Sequence, residues 1–323
     1  MNKLKTLFNK VPGVLLGLLV ILAFFSIFAE GFFSAYNIQN LMKDCCLLII
    51  VSLGMNLCIL SGRNNISVGA IMSLCGVITG LLLQSGLNMW LAIIIGILCG
   101  SFIGLISGYL IAYEGFNYWV VTYAFMGISS GIALVLSNGN TIPGFEDDFR
   151  FIGSGKIFGV YTMTWITLII CIIMVYVALK TKFGYDVYSI GGSYQTSILS
   201  GINVNKVVIK IYVICGAFAA ISGIMLASKS NSASPIAGSG YEFDAIAAVL
   251  IGGTDFDGGK GKITGSIIGA ILMRTLRNGL TMIGLSPYWQ TFIIGSVVMG
   301  IIIVDGINQH HKKIKATRRV YNE

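Results

Sequence analysis

Ten apolar runs organise the chain, at 11–30, 43–61, 66–84, 89–113, 118–137, 161–180, 206–228, 241–254, 263–281 and 288–305. A helix rises 1.5 Å per residue, so about 20 apolar residues cross a hydrocarbon layer ~30 Å thick. Nine of the runs approach or exceed that length. The run 241–254 is too short for a straight crossing and reads as a broken or re-entrant span. None alternates apolar and polar residues as a membrane β-barrel strand would. The pattern predicts an all-α, polytopic helical bundle forming a single transmembrane domain over 1–323.

The longest polar interruption on one side, Lys180 to Lys206, reads KTKFGYDVYSIGGSYQTSILSGINVNK. Its segment Ser193–Ile202 has helical character, with Gly191 and Gly192 before it and Gly201 inside its last turn. Ser193 is a good N-cap residue. Tyr194, Ile198 and Ile202 fall at i, i+4 and i+8 with Leu199 beside them, forming one apolar stripe. The candidate contact element comprises Ser193, Tyr194, Gln195, Thr196, Ser197, Ile198, Leu199, Ser200, Gly201 and Ile202. A short amphipathic helix between spans lies on a membrane or fills a groove on a soluble partner.

Composition supports the membrane reading. Hydrophobic residues make up 55% of the chain and charged residues 11%, with a mean hydropathy of +0.85, whereas soluble domains carry about 25% charged residues. Among 41 glycines, Gly96, Gly100, Gly104 and Gly108 recur every fourth residue, and Gly261, Gly265 and Gly269 repeat the spacing. Such stripes let a neighbouring backbone approach closely. The seven cysteines (Cys45, Cys46, Cys58, Cys75, Cys99, Cys171 and Cys215) lie in or beside apolar runs, without a CxxC and without a nearby histidine. They read as packing residues rather than metal ligands or redox centres.

The net charge of +8 is distributed as in a membrane protein, not as a nucleic-acid face. Lys3, Lys5 and Lys10 precede the first run, and Lys312, Lys313, Lys315, Arg318 and Arg319 form a basic tail in 306–323. Positive residues favour the cytoplasmic side. An even number of spans then puts both termini, Lys180–Lys206 and Asp255–Lys262 in the cytoplasm. The loop Asn138–Val160, with Glu146, Asp147 and Asp148, falls outside. The first run lacks a small-x-small cleavage site and reads as a retained span. Arg63 is expected to snorkel to inner headgroups, and Arg274 and Arg277, three apart towards the outer side, are expected to face headgroups, with carboxylates of a docked binding protein as the alternative.

The carboxylates fall in loops or near span ends, and Asp244 comes closest to mid-membrane. That argues against an ion-coupled carrier, which commonly holds an ionisable group at the midplane. The chain has no GxSxG, HExxH or histidine–carboxylate cluster. The pairs Gly259-Lys260 and Gly261-Lys262 fail as a phosphate-binding loop. A glycine would be needed at Thr254 or Phe256, and a Ser or Thr after the lysine. If ATP drives this protein, another subunit binds it. A stand-alone carrier or channel is the competing class.

Three segments in order carry a resemblance: GGSYQTSILSGINVNKV from Gly191, NSASPIAGSGYEFDAIAAVLIGGTDFDGGKGKITGSIIGA from Asn231, and RNGLTMIGLSPYWQ from Arg277. They closely resemble the permease subunit of bacterial ribose-type ABC sugar importers, over most of Ser52–Asp305. The resemblance implies a coupling segment at 181–205 and a second copy of the permease. It also implies a cytoplasmic ABC ATPase holding ATP and magnesium, with no cofactor on this chain, and an extracytoplasmic sugar-binding protein. The setting implied is the bacterial inner membrane, with lipid around the bundle. Ribose is the first expectation for the substrate. Other monosaccharides, polyols or furanosyl signals remain open, as do the nucleosides and branched-chain amino acids carried by more distant relatives.

The first half departs from the family pattern. GGIDLSVG appears as Gly62 to Gly69 with Arg63, Asn64 and Asn65 in place of glycine, isoleucine and aspartate. PFIVTLG appears as Tyr118 to Ala124. Asn56, Asn65, Trp119 and Thr122 are candidate pathway residues, although interhelical hydrogen bonding and interfacial anchoring compete for them.

Overall fold

The computed structural model describes residues 13–297, 299–300 and 303. The basic N-terminal residues and the tail 306–323 lie outside the described residues. Helices follow as α1 (Gly13–Phe28), α2 (Ala35–Leu60), α3 (Val68–Gln84), α4 (Met89–Ala112), α5 (Tyr118–Ser137), α6 (Asp147–Ser154) and α7 (Thr162–Lys180). Then come α8 (Lys182–Gly192), α9 (Tyr194–Leu199), α10 (Val204–Ser230), α11 (Tyr241–Ile251) and α12 (Ile263–Met282), and α13 from 287 to at least 297. Of these, α2, α4, α5, α7 and α10 are each long and apolar enough to cross a membrane alone. The fold is an all-α polytopic bundle.

Local chemistry sets many helix starts. Ser34, Asn88, Asn117, Thr181, Ser193 and Asn203 each accept a first-turn amide through their side chains, pairing donors a helix otherwise leaves free. At α2 this moves the start eight residues ahead of the apolar run at 43. The polar extension is held by Asn37 and Asn278, which exchange side-chain hydrogen bonds of 3.0 and 2.8 Å.

The core centres on α10, packed between α4, α3 and α2, with α12 and α11 on the far side of α2. From Cys45 to Leu60 every residue of α2 is buried. Gly100, Gly104 and Gly108 lie against the α10 backbone at Gly216, Tyr212 and Ile209, while Gly96 lies against Thr79. Gly265 and Gly269 meet the carbonyls of Gly252 and Ala248. Gly261 does not continue that stripe: it precedes α12, has φ +153°, and packs on Thr254. The period-four spacing misled there because a turn of the Gly-Lys loop happens to match it.

The two ends of the bundle differ. At one end α8 and α9 link α7 to α10. At the other, 138–160 folds into α6 flanked by short pairings, Ile142–Pro143 with Ser232–Ala233 and Lys156–Ile157 with Val160–Tyr161. The eighth apolar run is helical only over α11. Residues 234–240 before it are neither helix nor strand.

Candidate functional site: a surface platform and the polar interior behind it

The platform begins where α7 stops. Thr181 is extended and its hydroxyl accepts the Gly184 amide at 3.3 Å, starting α8. The polar pattern of 181–192 did not announce a helix there. The helix forms because Tyr188 and the apolar Val187 and Ile190 turn one face to the core. Tyr188 donates to the Gly261 carbonyl at 3.1 Å. Burial pushes its phenol up, so it stays a donor.

Ser193 then breaks the helix and caps α9, its Oγ accepting the Thr196 amide at 3.3 Å and lying 2.9 Å from the Thr196 hydroxyl. Ser197 is buried and donates to Ser193 O, while Ser200 donates to Thr196 O. Tyr194 (46% exposed), Ile198 (51%) and Leu199 (87%) face outward, and Gln195 is exposed beside them. Two expectations fail. Gly201 is outside the helix, at φ +78° in the turn that ends it, a region that costs an L side chain energy. That turn redirects the chain, so Ile202 leaves the stripe and packs against the core. The open apolar face is therefore Tyr194, Ile198 and Leu199.

The platform is knitted to the interior. A Cβ on Gly191 would overlap Leu60 O and Gly259 N, and Gly259 N donates to Leu60 O at 2.9 Å. Arg63 lies 5.8 Å from the Tyr194 ring centroid and donates to Ser61 O at 3.0 Å. It serves the platform by a cation–π contact rather than reaching headgroups, because the fold brings α9 directly beneath its turn.

From Arg63 the chain runs inward through buried Asn64 and Asn65. Tyr212 of α10 donates to Asn64 O at 2.8 Å. Asn65 Oδ1 accepts from the Ser67 amide (3.1 Å) and hydroxyl (2.6 Å) at the start of α3, and its Nδ2 lies 3.5 Å from Cys215 Sγ. Asn56 Nδ2 donates to Thr254 Oγ1 (2.9 Å) and Ser266 Oγ (2.6 Å), joining α2 to the end of α11 and to α12. Thr122 is buried and bonds back to Tyr118 O at 2.8 Å. Trp119 sits on the exposed flank of α5. Asn56, Asn65 and Thr122 thus face protein, and Trp119 does not.

Arg274 and Arg277 do not point to headgroups. Both pair with Asp244, Arg277 Nη2 at 2.8 Å and Arg274 Nη2 at 3.5 Å, and Arg274 lies 4.2 Å from the Tyr241 ring centroid. Asp44 and Lys229 form a second pair. Asp244, Arg274 and Arg277 lie within apolar runs, a signal that each needs a partner. Which partner each would take depended on α11 packing against α12.

Comparisons with known proteins bear on this architecture. A family model described as "Branched-chain amino acid transport system / permease component" matches residues 37–302. The ribose import permease of Escherichia coli K12 is 35% identical over 299 residues, covering 91% of this chain and 93% of its own. That of Bacillus subtilis 168 is 36% identical over 296 residues, covering 91% and 92%. The D-allose transport system permease of Escherichia coli K12 is 31% identical over 295 residues, covering 91% and 90%. No solved structure matches. Capped apolar helices, a match over most of the bundle and full-length relatives agree: the chain belongs to the family of transport-system permease components.

Proposed function

We propose that this chain is the membrane permease of an ATP-driven importer that brings a monosaccharide, ribose first among candidates, into the bacterial cytoplasm. The carrying observation is that sugar import permeases match about nine-tenths of the chain at 31–36% identity. The platform end is then cytoplasmic, and the end with α6 receives an extracytoplasmic binding protein. A second copy completes the pathway, and lipid surrounds the bundle in the inner membrane. The chain performs no catalysis itself. ATP and magnesium belong to a separate ABC ATPase, which seats α9 in a groove through Tyr194, Ile198 and Leu199. Burying side chains of this size contributes several kcal/mol in gross terms at ~25 cal/mol per Å².

Ile198→Asp places a charge in that groove. The expected outcome is unchanged abundance in the membrane, loss of the ATPase on co-purification, and loss of labelled ribose uptake. Co-purification and uptake at wild-type levels would refute the docking role.

A further inference from the structure

The non-helical segment 234–240 lies within the bundle, not on its rim. Gly238 N donates to Ser73 Oγ at 2.8 Å, and a Cβ on Gly238 would overlap Gly69 O. Met72, between those two contacts, packs its carbonyl on Gly223. Gly223 lies seven residues before Ser230, the end of α10, which is about 10 Å at 1.5 Å per residue. Tight turns pair the local amides: Ala237 N to Ser234 O, Ser239 N to Ile236 O, and Tyr241 N to Gly238 O.

One face of this segment is open. Ile236 is 68% and Phe243 60% exposed, and Ala237 and Ser239 are exposed with them. The charges sit behind that face. Glu242 is buried with Oε1 accepting the Gly240 amide, and Asp244 is buried against Arg274 and Arg277. Irregular backbone at membrane depth persists only where protein covers it or where it lines water. A face of one hydroxyl, turn backbone, Ile236 and an aromatic ring, with Asp244 withdrawn onto two arginines and Glu242 onto a backbone amide, suits a neutral polyhydroxylated solute better than an ion.

We propose that Ile236, Ala237, Ser239 and Phe243 line the aqueous path taken by the sugar, with the Phe243 ring as its apolar wall. This rests on the sugar-permease reading and adds the lining element.

The test uses whole cells carrying the complete importer. Ala237→Cys and Ser239→Cys are exposed to a membrane-impermeant thiol reagent, with the parent chain as baseline and Ile172→Cys, on the flank of α7, as control. Both path variants should label severalfold faster than the control, and added ribose should slow labelling. Phe243→Ala should raise the KM for uptake at normal abundance, and Phe243→Tyr should restore it. If neither position labels, a second copy or lipid covers the face and the proposal fails. If labelling occurs but no transported sugar slows it, the segment is wet but off the path and the proposal also fails. Labelling slowed by allose and not by ribose upholds the path and corrects the substrate. Absence of any sugar uptake by the parent importer would instead refute the function proposed above.

Discussion

Asn65 and Asp244 show how single side chains carry the interior. Asn65 accepts both the amide and the hydroxyl of Ser67, and Ser67 itself makes no side-chain cap to α3. Asn65→Leu leaves both donors unpaired in a fully buried site, a cost of about 1–3 kcal/mol each. Asn65→Asp keeps the acceptors. Membrane abundance and thermal stability in detergent should therefore fall for the leucine variant and fall less for the aspartate. Asp244→Leu is expected to be worse, since it strands two arginines. Breaking one partner of a buried ion cluster costs about 3–5 kcal/mol, whereas replacing the whole cluster with apolar residues recovers much of that. Accordingly, Asp244→Leu should lower the melting temperature in detergent, and Asp244→Leu/Arg274→Met/Arg277→Leu should restore most of it.

Among the helices, glycines decide how closely elements approach. The α4–α10 seam places Gly104 on the Tyr212 carbonyl, where an added methyl meets backbone that cannot swing away. Gly127 on α5 has open space at the same position. Overpacking costs about 1–3 kcal/mol, so Gly104→Ala should reduce stability while Gly127→Ala leaves it unchanged. A sharper contrast exists at the platform. Gly191→Ala drives a methyl into the Leu60–Gly259 hydrogen bond, whereas Gly192→Ala meets nothing within 4 Å. Uptake normalised to abundance should fall for the first and hold for the second. These adjacent glycines look equivalent in sequence. Only the fold sets one against a neighbour's backbone.

Across the whole molecule, α11 runs from the non-helical segment to the Gly-Lys loop, and that loop is bonded to Leu60 and Tyr188 beneath the platform. The proposed ATP-driven import predicts that uptake stops on ATP depletion and persists when proton and sodium gradients are collapsed in ATP-replete cells. Uptake driven by a gradient in liposomes holding this chain alone would reverse that reading. The amino-acid sequence by itself determined the membrane class, the family and the Ser193-capped helix between α7 and α10, because these follow from local hydropathy, a side-chain cap and ordered motifs. Tertiary structure alone decided that Ile202 turns into the core, that Arg63 joins Tyr194, that Asp244 holds Arg274 and Arg277, and which face of 234–243 stays open. Hydropathy reports that a residue avoids water. It does not distinguish lipid from protein as the cover, nor does it name a partner brought close only by helix packing.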